Sequence, residues 1–134
     1  MNEVALSAVA MRPFVPSKDF ETSERFYADL GFSLRPLGAD LAEVTLGQHS
    51  FLLQRFYEEK FAGNFMMHML VSDLDAWWRE ISSLRLGERY GIREPAAPKA
   101  EPWGLTVLYV VDPSGVLWHI AQPTRMDPSR TAGA

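Results

Sequence analysis

The sequence lacks cysteine altogether. This absence excludes disulfides, a thiolate nucleophile and any zinc site built on sulfur, so a metal would need imidazole, carboxylate or amide ligands. Long apolar runs are absent near the start: residues 4–11 are too few to span a bilayer, and no Lys or Arg precedes them as a secretory signal would require. We therefore expect a cytoplasmic protein.

Positive charge is also in short supply. The chain has 13 Lys and Arg against 17 Asp and Glu, with a net charge of −4. The Lys and Arg residues do not cluster into a basic stripe, so the sequence has no surface that would attract the phosphate backbone of a nucleic acid. A hydrophobic content of 47% over 134 residues is enough for one compact core. We therefore predict one domain that binds neither nucleic acid nor membrane.

The first half of the chain contains the signals of a strand, a helix and three further strands. Residues 7–16 are apolar and β-prone, and residues 19–30 have a helical apolar stripe that ends before Gly31. Strands are then predicted around 32–34, over 41–46 and over 51–54, with residues 47–50 as a four-residue hairpin connection. The order is β, α, β, β, β.

The second half repeats this plan. The helix starts Asp19-Phe20-Glu21 and Asp73-Leu74-Asp75 share an acid, apolar, acid order. The second helix is predicted to carry its apolar face from Leu74 to Leu84, with Gly87 as its C-terminal glycine. Strands are predicted over 66–71, 105–111 and 116–120, and a loop over 94–102. We assign modules 7–56 and 64–122 to a single domain, 1–122, followed by a flexible tail, 123–134.

Two stretches carry a family resemblance: residues 15–32, with Val15-Pro16-Ser17-Lys18-Asp19-Phe20 and Asp29-Leu30-Gly31-Phe32, and the closing Pro102-Trp103-Gly104 with residues 112–119. Their order and spacing resemble the vicinal-oxygen-chelate superfamily of glyoxalases, dioxygenases and bleomycin-resistance proteins, and most closely the bleomycin-resistance branch. The resemblance implies an α+β fold of two tandem βαβββ modules, whose curled mixed sheets surround a concave cleft, and a homodimer.

In the metal-dependent members of that superfamily, the ligands come from the first and last strands of each module. The matching positions here are Arg12, Gln54, Met66 and His119. A guanidinium, a thioether and no carboxylate make a poor divalent-ion site, so no metal and no other cofactor is expected. If the strand register differs by two residues, Phe14 and His68 take the ligand positions assigned to Arg12 and Met66. Glu43 is a candidate internal partner for Arg12.

The cleft is therefore predicted to bind a small molecule without catalysing a reaction. Flat aromatic side chains suit an aromatic, peptide-like or cationic molecule, and the acidic balance of the chain favours a cation. The predicted ligand-binding residues combine those four positions with nearby aromatic and histidine side chains: Arg12, Phe14, Gln54, Phe56, Tyr57, Phe61, Met66, His68, Trp103, Trp118 and His119. No catalytic residue is predicted.

The favoured function is sequestration of a toxic small molecule, as in antibiotic resistance. Two other functions stay open. One is a metal-dependent enzyme of the same superfamily, a glyoxalase-like lyase or isomerase, a dioxygenase or a fosfomycin-type transferase, which needs Glu43 or Glu101 beside His68 and His119. The other is a module whose cleft serves protein contacts, which predicts a flat apolar patch shared with another chain.

Overall fold

The computed structural model describes residues 5–124, which form two four-stranded mixed sheets. The first module has the strand order β1-β4-β3-β2, in which β1 runs parallel to β4 and the other pairs are antiparallel. Its elements are β1 (Phe14–Pro16), α1 (Phe20–Asp29), β2 (Ser33–Pro36), β3 (Leu41–Leu46) and β4 (His49–Gln54).

The second module has the order β5-β8-β7-β6, again with its first and last strands parallel. A short helix in the linker, α2 (Glu59–Asn64), precedes it. Its elements are β5 (Met66–Leu70), α3 (Leu74–Leu84), α4 (Leu86–Tyr90), β6 (Lys99–Ala100), β7 (Leu105–Val111) and β8 (Leu117–Pro123). The predicted α+β fold of two βαβββ modules is confirmed.

The matched helix starts are confirmed in detail. The side chain of Asp19 accepts a hydrogen bond from the amide of Thr22 at 3.1 Å, and that of Asp73 accepts one from Ala76 at 3.0 Å. Each carboxylate pairs one of the amide groups that a helix leaves without a partner in its first turn. The repeated acid in the sequence therefore marks the same local structure in both halves.

The predicted first strand is wrong over residues 7–13. Strand β1 starts only at Phe14, and the preceding segment is exposed and has no regular structure. A β-prone segment forms a strand only where a neighbour pairs its amide and carbonyl groups, and Pro13 has no amide to donate. The hairpin was also predicted too long, because β4 begins at His49 and only two residues connect it to β3.

The predicted C-terminal glycine of the second helix is wrong as well. Helix α3 ends at Leu84, Arg85 adopts a left-handed conformation with φ 53°, and Gly91, with φ 69°, ends α4. Gly87 instead lies inside α4, where its amide donates to the Glu94 carboxylate at 2.5 Å. A Cβ atom at this position would stand 2.7 Å from an oxygen of that carboxylate, so glycine leaves room for the Glu94 side chain to approach the helix.

An aromatic cluster joins the two modules. Tyr27 of α1 and Phe51 of β4 pack against Trp118 of β8, with ring centroids 5.7 and 5.5 Å from the indole. The Trp118 indole donates to the Tyr27 hydroxyl at 3.0 Å, which donates to Asp112 at 2.6 Å. All of these side chains are buried. The two sheets therefore meet through one face of each.

The last strand extends one residue past residue 122, the predicted end of the domain. Strand β8 reaches Pro123, and the amide of Thr124 donates to the carbonyl of Gly104 at 2.9 Å. Residues 125–134 of the predicted tail lie outside the described residues, as do residues 1–4 of the predicted domain. Within residues 5–124, no helix has the length and apolar character needed to cross a membrane.

Candidate functional site

The face of the second sheet that points away from the core carries three of the predicted site residues. Met66 and His68 alternate along β5, and His68 pairs in register with His119 of β8. Side chains two residues apart on a strand share a face, and so do register partners. The side chain of Met66 is 59% exposed, so this face is open in a single chain.

His119 is held on this face by a contact with Tyr109, which is itself hydrogen-bonded. Its ring contacts that of Tyr109 edge to face, with centroids 4.8 Å apart, and the Tyr109 hydroxyl donates to Glu101 at 3.1 Å. Burial lowers the pKa of His119, and the neighbouring His68 lowers it further, while Glu101 opposes both. A lowered pKa keeps the imidazole neutral at pH 7, so it offers one donor and one acceptor rather than a positive charge.

A cavity of about 380 Å³ lies on the same face. Tyr109, Val111 and Leu117 form its floor, and the 93–99 loop, with Arg93 and Lys99, forms its wall. The sequence prediction missed these residues. The alternation of Leu105–Val111 was the available signal for Tyr109 and Val111, because every second residue of that strand had to face away from the core.

The first sheet presents a similar open face around Arg12. The guanidinium lies 3.6 Å from the Glu43 carboxylate, and its Nε donates to the hydroxyl of Ser50 at 2.5 Å. Glu43 also pairs with Arg35 at 3.2 Å. The suggested partnership between Arg12 and Glu43 is therefore present. Because the Glu43 carboxylate already balances the charge of Arg12, this side chain does not require an anionic ligand.

The four positions matched to metal ligands form two pairs, one beside each sheet. Phe14 and Pro16 of β1 align with Leu52 and Gln54 of β4, while Met66 aligns with Leu117 in the other sheet. Among residues 5–124, no hydrogen bond or ion pair links the group of Arg12 and Gln54 to that of Met66 and His119. The reason is geometric: the modules pack through the faces that hold Phe51 and Trp118, so the alternate faces remain outside.

The predicted aromatic residues differ in exposure. Trp103 is 59% exposed in the turn before β7, and Phe56 and Phe61 are also exposed. The ring of Tyr57 lies 5.8 Å below the ammonium of Lys18. Trp118 is 4% exposed and belongs to the core, on the opposite side of β8 from His119. Trp103 is therefore the most exposed of the predicted aromatic side chains.

The donor groups around the two histidines do not fit a metal ion. Among residues 5–124, no three His, Cys, Asp or Glu side chains are grouped closely enough to hold one. The Glu43 carboxylate is engaged by Arg12 and Arg35, and that of Glu101 by Tyr109. The His and carboxylate set that the enzymatic alternative requires is not assembled by these residues.

Comparisons with known proteins find relatives with the same fold. No family model matches the chain. The chain is 29% identical over 114 residues to a bleomycin resistance protein from Klebsiella pneumoniae, covering 82% of this chain and 89% of the relative. It superposes on a bleomycin-binding protein complexed with bleomycin with a TM-score of 0.73 at 25% identity, covering 87% of this chain and all of that one.

A lactoylglutathione lyase from Agrobacterium tumefaciens shares the fold alone, with a TM-score of 0.62 at 17% identity over 87% of this chain and 95% of that one. The duplicated βαβββ modules and these likenesses make the chain similar to the proteins of the vicinal-oxygen-chelate superfamily. Within that superfamily it is similar to the bleomycin-resistance branch, as the sequence predicted.

Proposed function

We propose that this protein binds a small aromatic molecule and sequesters it without chemical change. The observation that carries the proposal is the open face of the second sheet, where a cavity with an apolar and aromatic floor lies beside His119. Concave apolar sites with a few polar groups are the usual form of a small-ligand site. The similarity to bleomycin-resistance proteins supports the same conclusion, and we propose that the protein acts in the cytoplasm.

The proposed binding needs no metal. The carboxylates nearest the histidines are already paired, and a thioether and a guanidinium occupy two of the positions that supply ligands in the metal-dependent relatives. We therefore do not adopt the lyase, dioxygenase or transferase alternative. Metal analysis of protein purified without chelator tests this choice: one tightly held divalent ion per chain would contradict it.

We further propose that two chains form the complete ligand site. Leu6, Val9 and Met11 are almost fully exposed, and the side chains of Met66 and Leu70 are about three-fifths exposed. Large apolar side chains exposed in such number are typical of contact surfaces. We take the partner to be a second copy of this chain, because symmetric homodimers are the commonest oligomers of soluble proteins. Its open faces would complete the cleft that one chain leaves divided between two sheets.

Dimerisation predicts a solution mass of twice the 15.1 kDa of the chain. The double substitution of Val9→Asp and Met11→Asp should shift the protein toward a monomer, because burying two carboxylates in an apolar contact is costly. Multi-angle light scattering during size exclusion measures the mass. Ser82→Asp, on the exposed surface of α3, is the control and should leave the dimer intact. A monomeric parent protein at micromolar concentration would contradict the proposal.

Ligand binding predicts that metal-free bleomycin raises the melting temperature. A ligand at one hundred times its dissociation constant stabilises the native state by about 2.7 kcal/mol, which is a shift of several degrees for a domain of this size. Trp103→Ala should abolish most of the shift, because it removes the exposed indole. Trp78→Phe, on the partly buried surface of α3, is the matched control.

The same screen includes other planar antibiotics, to determine which ligand class is bound. Circular dichroism of the Trp103→Ala protein must first match that of the parent, so that a lost shift reports binding rather than folding. An undiminished shift in that variant would place the ligand elsewhere. A shift with none of the planar or glycopeptide ligands would remove the support for sequestration.

A further inference from the structure

A larger cavity, of about 570 Å³, lies between the two modules. Phe32, Phe51 and Trp118 form its aromatic floor, and Trp77 of α3 forms one wall. The β3–β4 hairpin borders it on the side of the first module, and strand β5 borders it on the other. No residue of the sequence-predicted site except His68 and Trp118 touches it.

This cavity is distinct from the open sheet face described above. Met67 and Met69 line it, whereas Met66 alternates with them and points to the other side of β5. In the same way Trp118 lines the 570 Å³ cavity, and its neighbour Leu117 lines the 380 Å³ cavity. His68 and Leu70 also border the 570 Å³ cavity at the edge strand β5, but the two cavities have no lining residue in common.

The lining chemistry specifies the class of occupant. None of the fourteen lining residues is Asp, Glu, Lys or Arg, and the polar side chains are two serines and two histidines. The histidines, His49 and His68, are exposed. The Trp118 indole already donates to Tyr27, so it has no free donor for a ligand. A charged molecule would lose its hydration here without gaining an opposite charge.

Aromatic rings and methionine sulfurs favour flat π-systems over aliphatic chains, because edge-to-face and sulfur–aromatic contacts add to burial. The volume also lies within the usual range of small-ligand pockets, roughly 300–1,000 Å³. We propose that the space between the modules is a second binding site, which takes an uncharged planar aromatic molecule. This proposal does not depend on the ligand site of the open sheet face.

The experiment uses the full chain with ¹³C-labelled methionine methyl groups, of which the sequence has six. The probe is 2-naphthol, which is neutral at pH 7, and the resonances are assigned by Met→Leu substitution. Ring currents of a bound probe should move the Met67 and Met69 signals in a saturable manner and leave Met66 unmoved. The matched anion 2-naphthalenesulfonate should bind at least tenfold more weakly.

Met69→Phe fills the cavity and should raise the dissociation constant of 2-naphthol at least tenfold. If that variant does not fold, Trp77→Leu removes a wall instead and should weaken binding in the same direction. Leu37→Ala, on an exposed residue of the first module, is the control and should bind like the parent.

Three results would overturn the proposal. The first is a shift of Met66 without Met67 and Met69, which places the probe on the open face. The second is a dissociation constant that rises with protein concentration, which shows that a segment of a second copy fills the cavity. The third is the absence of any saturable shift.

Discussion

Replacement of Trp118 by alanine is expected to lower the free energy of unfolding by about 3–5 kcal/mol, the range for removing a buried aromatic side chain. The indole is 4% exposed and packs against Tyr27, Phe32 and Phe51. These partners belong to the first module, so the substitution leaves a cavity at the junction of the two halves. It also leaves the Tyr27 hydroxyl without one of its donors.

Trp103→Ala is the matched control for this prediction. It removes the same side chain from a position that is 59% exposed, so its stability should stay close to that of the parent. Urea unfolding, followed by circular dichroism at equal protein concentration, compares the two variants with the parent. Equal losses of stability in both would show that Trp118 does not hold the modules together.

Asp112→Ala is expected to have a similarly large effect. The carboxylate accepts hydrogen bonds from the Tyr27 hydroxyl at 2.6 Å and from the amides of Ser114 and Val116 at 2.8 and 2.9 Å. The side chains of Asp112 and Tyr27 are both buried. Each buried donor left without an acceptor costs roughly 1–3 kcal/mol, so the three together should cost about 3 kcal/mol or more.

Two further substitutions define the origin of that loss. Asp112→Asn keeps an oxygen for the two amides but loses one acceptor, so it should restore part of the stability. Asp40→Ala removes an exposed carboxylate that pairs with Arg55 at 3.1 Å and should leave stability near the parent value. Chemical denaturation measures all three. An Asp112→Ala protein as stable as the Asp40→Ala protein would contradict this account of the junction.

The buried network also explains why the closing turn was a useful motif in the sequence. Asp112 begins the Asp-Pro-Ser-Gly turn, and Ser114 within it accepts a hydrogen bond from the amide of Lys18 at 2.7 Å. Lys18 lies in the other quoted stretch, just before helix α1. The two stretches that carried the family resemblance are therefore in direct contact, although 96 positions separate the two residues.

The sequence-based predictions were wrong where the local structure depended on which groups approach a segment in the folded chain. Residues 7–13 have the composition of a strand, but they form no regular structure, and the carbonyl of Pro13 alone accepts a backbone hydrogen bond from β4, from the amide of Leu52 at 3.0 Å. Gly87 has the residue type of a helix end, but it lies inside α4, where its amide donates to the Glu94 carboxylate. Composition reports what a segment favours, whereas the structure adopted depends on which groups reach it.

The sequence by itself determined the duplication, the starts of both long helices and the order of the elements, except for α2, α4 and the short strand β6, which lies within the predicted 94–102 loop. These features depend on contacts within a few residues, such as Asp19 with Thr22 and Asp73 with Ala76. Only the tertiary structure decided which side of each sheet is buried. Trp118 and His119 are neighbours in the chain, but packing between the modules buries Trp118 and leaves His119 on the open face, since adjacent strand residues point in opposite directions.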